Sequence, residues 1–281
     1  MDRTALLVLV ALLCVAVLGV SLVVVGAGEL ERAASSAAEG SAAARASSGG
    51  GDLVRPTNAR NLARAGQWAE LREALEGGLP ADPAPAEQGA RTALMYAAFA
   101  GRARVAELLI EAGAQIDRAD EGGMTPLILA TDHHHFGIAE RLLDAGADAT
   151  RVSSAGGSTL LGPARRGRRA LLRRLLAAGA DPNQAFREGW VPLHYAAGGG
   201  HGDSVGILLD AGATIDRADD AGRTALMYAA GQGHASTVRF LLERGADATR
   251  TAKDGRDAEA MARSGGFGDT VRAFEQWRRD G

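Results

Sequence analysis

Cysteine is almost missing from this chain of 281 residues. Cys14 is the single example, and it sits inside an apolar run, so no internal disulfide forms. Leu13 precedes it, where a lipidation site needs a small residue. Aromatic residues are scarce, at 4%, which excludes a large aromatic-rich core. A strong charge of one sign is lacking as well. The formal net charge of −3 is too small to name nucleic acid or an anionic surface as the main partner. The body beyond Cys14 has no thiol, no serine in a nucleophile-elbow context and no metal-ligand spacing, so the sequence supports neither catalysis nor a cofactor. Its recurring carboxylates, Asp117 with Asp216 and Asp120 with Asp219, fit turn chemistry. What is abundant is glycine, with 38 residues, and alanine. Both suit close helix packing joined by tight turns.

Three stretches differ in character. Residues 1–28 hold an uncharged apolar run at 5–27, 23 residues long. As a helix it would reach roughly 35 Å, against a hydrocarbon core of about 30 Å. That predicts a spanning anchor; a cleaved signal ending at Val25-Gly26-Ala27 stands as the alternative. Arg3 and the amine precede the run, and Glu29, Glu31 and Arg32 follow it. This balance places the N-terminus in the cytoplasm and the body outside it, periplasmic or extracellular. Residues 29–55 are rich in Ala, Ser and Gly and read as a flexible tether. Residues 56–281 form the body.

The body repeats. Gly-Ala pairs begin at Gly113, Gly146, Gly179, Gly212 and Gly245, 33 residues apart. Thr92-Ala93-Leu94, Thr125-Pro126-Leu127, Ser158-Thr159-Leu160, Val191-Pro192-Leu193 and Thr224-Ala225-Leu226 keep the same step. Within one unit, Thr125-Pro126 opens a helix, since Thr accepts from an orphan amide and Pro loses nothing at the first position. A glycine such as Gly233 turns the chain. A second helix presents Val238, Phe240, Leu241 and Leu242, and Gly245 ends it.

Trp190-Val191-Pro192-Leu193-His194-Tyr195-Ala196-Ala197, and Gly233-His234 through Leu241-Leu242 to Gly245-Ala246-Asp247, resemble the ankyrin repeat, over roughly residues 58–277. The resemblance implies an all-α solenoid of stacked helix pairs with projecting hairpin loops, here preceded by an N-terminal apolar helix. It also implies an interaction protein, monomeric, with another protein as its partner. About five full repeats lie between caps. The N-terminal cap, from Leu62 to Gly78, is followed by a longer loop at 79–90 stiffened by Pro80, Pro83 and Pro85. The C-terminal cap, from Gly255 to Trp277, replaces Thr-Pro-Leu by polar residues, as an end repeat must for solubility. The third repeat departs most, with Ser153 for the hairpin Asp and Gly162-Pro163 in its first helix, and is expected to be locally looser.

The resemblance also assigns roles. His194, and His135, His201 and His234 at the Gly-His position, are expected to hydrogen-bond between repeats. His133-His134-His135 is a weak alternative metal site, since adjacent helical residues do not share a face. A concave face of hairpin tips and first helices is implied as the binding surface. On it fall Arg91, Met124, Arg187, Trp190 and Arg223 near the hairpin, then Tyr96, Leu129, Tyr195 and Tyr228 at one helix position, with Phe99 and Asp132 three residues on. All three tyrosines of the chain share that position, and aromatics and arginine are common at binding hot spots. Packing against the neighbouring repeat is the competing role for Tyr. Arg165, Arg166, Arg168 and Arg169, extended by Arg173 and Arg174, form an arginine cluster: either a solvated face or a dock for an anionic partner, an acidic protein surface ahead of acidic lipid or nucleic acid.

Overall fold

The structure, a computed structural model, describes residues 58–82 and 89–280. The apolar run at 5–27 and the tether at 29–55 lie outside the described residues; among those described, no helix is long and apolar enough to cross a membrane.

Among the described residues, fourteen α-helices alternate between two layers. The inner layer holds α1 (Ala59–Arg64), α3 (Ala93–Phe99), α5 (Pro126–Asp132), α7 (Leu161–Arg165), α9 (Pro192–Gly198), α11 (Ala225–Gly231) and α13 (Ala258–Ser264). The outer layer holds α2 (Trp68–Glu76), α4 (Ala103–Glu111), α6 (Phe136–Asp144), α8 (Arg169–Ala177), α10 (Gly202–Asp210), α12 (Ala235–Glu243) and α14 (Gly268–Asp280). Each helix packs on its own partner and, α6 against α8 excepted, on its counterparts one repeat away, so burial is a nearest-neighbour affair.

Local chemistry sets the helix ends. Thr92 Oγ1 accepts from the Met95 amide at 3.2 Å, Thr125 Oγ1 from Ile128 at 3.3 Å, and Asp257 Oδ1 from Ala260 at 2.7 Å. After the second helix, Gly113, Gly146, Gly179, Gly212 and Gly245 take φ between +79° and +92°, a left-handed turn that costs any other residue strain. The leucine after each cap (Leu94, Leu127, Leu160, Leu193 and Leu226) forms a buried column along the stack.

Hairpins are tied to the next repeat. Asp117 Oδ1 accepts from the Asp148 amide, Asn183 Oδ1 from Thr214, and Asp216 Oδ1 from Asp247, at 2.8 to 3.1 Å. Histidines do the same for the helix turns. His135 Nε2 meets the Phe99 carbonyl at 3.1 Å, His201 that of Arg165 at 3.0 Å, and His234 that of Gly198 at 3.0 Å. Phe267 replaces them in the cap.

His194 is buried between the Val191 amide, which donates to Nδ1 at 3.2 Å, and the Arg217 carbonyl, 2.8 Å from Nε2. That fixes a neutral ring with its proton on Nε2. Burial depresses its pKa below the usual 6.5, outweighing the carbonyl contact. The unfolded chain therefore takes up this proton first as pH falls. Stability from His194 is complete above about pH 6.5 and shrinks below it, by at most about 1.4 kcal/mol per pH unit. Melting from pH 7 to 5 is expected to show a downward slope that His194→Gln flattens; parallel slopes would remove His194 as its source.

The third repeat departs from its neighbours locally. Pro163 has no amide to give an interior turn, so α7 starts late, at Leu161; Ser158, in the place of Thr125, caps no amide, and the Thr159 hydroxyl bonds the Ala149 carbonyl at 3.1 Å. Yet Leu160, Leu161, Pro163 and Ala164 are buried. A Cβ on Gly162 would lie 2.0 Å from the Thr131 carbonyl oxygen, so α7 sits hard against α5. The outer layer parts most, where α6 and α8 fall out of the close backbone contact their counterparts keep. The Phe136 ring, under the Arg168 guanidinium at 5.0 Å, stands there; the third repeat has Arg169 at that position, and Ala103, Gly202 and Ala235 occupy it in the others. The hairpin aspartate is not missed, because Ser153 Oγ accepts from the Gly157 amide at 2.9 Å.

Candidate partner-binding surface

The inner helices and hairpins bring most of the sequence candidates onto one side, in two aromatic groups. Near the N-terminal end, Phe99 is 43% exposed. His133 packs edge-on to it at 4.3 Å, and the Arg91 guanidinium lies 5.7 Å from its centroid. Arg91 Nε also donates to Asp120 Oδ2 of the next hairpin at 3.0 Å. Asp132 is exposed and Met124 half-buried.

The second group is larger. Trp190 stacks at 4.3 Å from Tyr228 and 5.0 Å from Tyr195, with His194 behind both. All three outer rings are half-buried, so they pack on one another and also offer surface. Burial raises the Tyr195 pKa. Burial, then the hydrogen bond donated to Asp219, raises that of Tyr228 further. Both hydroxyls stay protonated donors. Arg187 is exposed, stacked on Phe186 at 5.6 Å. Beyond Tyr228 an open groove of about 250 Å³ runs between α11 and α13, with Arg223 and Arg256 on its rim.

Leu129 does not belong here. It shares the tyrosine position but is 1% exposed, because an aliphatic side chain there turns wholly into the stack where tyrosine keeps its hydroxyl outward. Tyr96 is half-buried, away from the larger cluster.

The arginine cluster is divided by the fold. Arg169 pairs with Asp203 and Arg174 with Asp144, across repeat boundaries. Arg165 donates to His134 Nε2 at 2.8 Å, and burial together with Arg165 and Arg166 lowers that imidazole's pKa. Arg166 and Arg173 meet no carboxylate among the described residues.

The three adjacent histidines go separate ways: His133 to Phe99, His134 to Arg165 and Phe136, His135 to the Phe99 carbonyl. His134 breaks the run by taking φ +63°, where other repeats have glycine. Among the described residues, no three His, Cys, Asp or Glu side chains gather as a metal would require.

The model for "Ankyrin repeats (3 copies)" matches residues 65–153 and 162–252, more than half of the chain. The chain belongs to the ankyrin repeat family. Among solved structures, it is similar to the human ASB11 ankyrin repeat domain, at 23% identity and a TM-score of 0.63, covering 79% of this chain and 97% of that one. It is also similar to EF0377, an ankyrin repeat protein, at 32% identity and a TM-score of 0.58, covering 68% and 98%. No curated protein sequence matches it. Ankyrin repeat proteins are in general interaction modules without catalytic activity.

Proposed function

We propose that this ankyrin repeat protein captures another protein on its inner face, and that residues 5–27 hold it to a membrane with the repeats outside the cytoplasm. The cluster of Trp190, Tyr195 and Tyr228 carries the binding reading: three adjoining aromatic rings kept partly in solvent on a rigid layer. Such rings bury much area at little entropic cost, and a pre-ordered face has little ordering left to do when a partner docks. The uncharged length of residues 5–27 supports the anchor; release after cleavage at Ala27 is the other outcome.

The test is capture of a protein partner by the full chain from its native membrane fraction. Trp190→Ala combined with Tyr195→Ala is expected to weaken capture by about thirtyfold or more, the scale of hot-spot loss. The melting midpoint moves only a few degrees. Unchanged capture, or loss of folding, sinks the assignment. Extraction by alkaline carbonate separates the topologies: an anchored chain stays in the pellet and a cleaved one does not. A second reading, docking of an anionic surface on Arg166 and Arg173, rests on their lack of carboxylate partners. Binding indifferent to salt would remove it.

A further inference from the structure

Arg91 and Arg223 occupy the same place in repeats one and five, but only Arg91 has its carboxylate. Arg91 Nε donates to Asp120, the hairpin aspartate of the following repeat. For Arg223 the corresponding residue of the following unit is Ala252. The Arg223 Nε–H is shielded from solvent and has no hydrogen-bond partner. Nearby carboxylates are already engaged. Asp219 accepts from the amides of Ala221 and Arg223 and from the Tyr228 hydroxyl. Asp254 is held by Nε and Nη2 of Arg256 at 3.0 and 2.7 Å. A buried donor left without an acceptor is costly, and a guanidinium edge matches a carboxylate best.

The Arg223 side chain lines the groove between α11 and α13, with its Nε–H shielded beneath the surface. Arg223, Arg256, Tyr228 and Gln232 form the polar margin, over the buried methionines Met227 and Met261. We infer that the groove takes a glutamate or aspartate side chain of the partner protein, flanked by apolar residues, its carboxylate pairing with the Arg223 guanidinium, which lacks the internal carboxylate that Asp120 gives Arg91. The flanking preference follows from the methionine floor, which adapts to varied apolar shapes. The inference rests on the inner face being the capture surface and names the chemistry recognised at its C-terminal end.

The test uses the full chain with ¹⁵N-labelled arginine and two capped peptides, acetyl-Leu-Glu-Leu-amide and acetyl-Leu-Gln-Leu-amide. The glutamate peptide is expected to shift the Arg223 Nε–H resonance and to bind at least about tenfold more tightly than the glutamine peptide. Ala252→Asp restores the internal carboxylate, so it is expected to abolish that response while the melting midpoint holds or rises. Ala252→Asn is expected to leave the response largely intact. Should either Ala252 variant misfold, Arg223→Met gives the same loss. Equal response to both peptides overturns the inference. So does an undiminished response in Ala252→Asp, or a shift produced only by acetyl-Leu-Leu with a free C-terminus. If Trp190→Ala with Tyr195→Ala abolishes partner capture and the glutamate peptide gives no selective shift, the carboxylate assignment falls and the inner-face reading stands. If that double variant captures normally, the inner-face reading falls, and the peptide comparison still decides the groove.

Discussion

Gly162→Ala is expected to destabilise the repeat domain by about 3 kcal/mol, lowering its melting midpoint by roughly 6–12 °C. One methyl group causes this. Its carbon would lie 2.0 Å from the Thr131 carbonyl oxygen and 2.8 Å from the carbonyl carbon, and both are backbone of α5. No rotamer relieves a clash with main chain, so α7 must move away bodily. The move is costly here because α6 and α8 already stand apart in the outer layer, so the inner α5–α7 contact does most to hold the second and third repeats together. Calorimetry of purified protein checks this. A midpoint within a degree of wild type would show that the α5–α7 approach is slack.

Phe274→Ala is expected to cost about 4 kcal/mol, the usual scale for emptying a buried phenylalanine site. Phe274 is 1% exposed on α14, at the end of a column that reads Leu109, Leu142, Leu175, Leu208 and Leu241 in the repeats before it. The larger ring fills this position more fully than the leucines before it. Its loss frays α13 and α14 first and bares Leu241 and Leu242 of α12. Hydrogen exchange is expected to accelerate across residues 258–280 well before the N-terminal repeats respond, and the variant should aggregate sooner. Uniform acceleration along the chain would show that the cap is not a separate cooperative unit.

The fold was legible because its signals are local and repeated. Thr125-Pro126 starts a helix, Gly245 ends one and His234 reaches back to Gly198, each with its cause within a few residues or one period away. The site was less legible, because exposure depends on what stands opposite. Leu129 and Tyr228 share a position, and only packing shows that one is buried and the other half-open. Arg91 and Arg223 look alike in the sequence. Their difference lies 29 residues further on, where Asp120 has become Ala252. Comparing each side chain with its neighbour's residue one unit away would have revealed it. The division of the third repeat was hidden for a related reason. Glycine at 162 suggests slackness when read alone, whereas it marks where two backbones nearly touch.

The parting of α6 from α8, spanned by the Arg174–Asp144 ion pair and by Phe136 under Arg168, has a mechanical consequence. A stack of repeats behaves as a spring whose stiffness is set by its weakest seam. With α5 and α7 in close backbone approach at Gly162 and α6 and α8 farther apart than their counterparts, this seam is where the curve is expected to open or close. A bulky partner held near Phe99 and Trp190 together would lie across this seam between the second and third repeats, where a change in curvature is expected to concentrate.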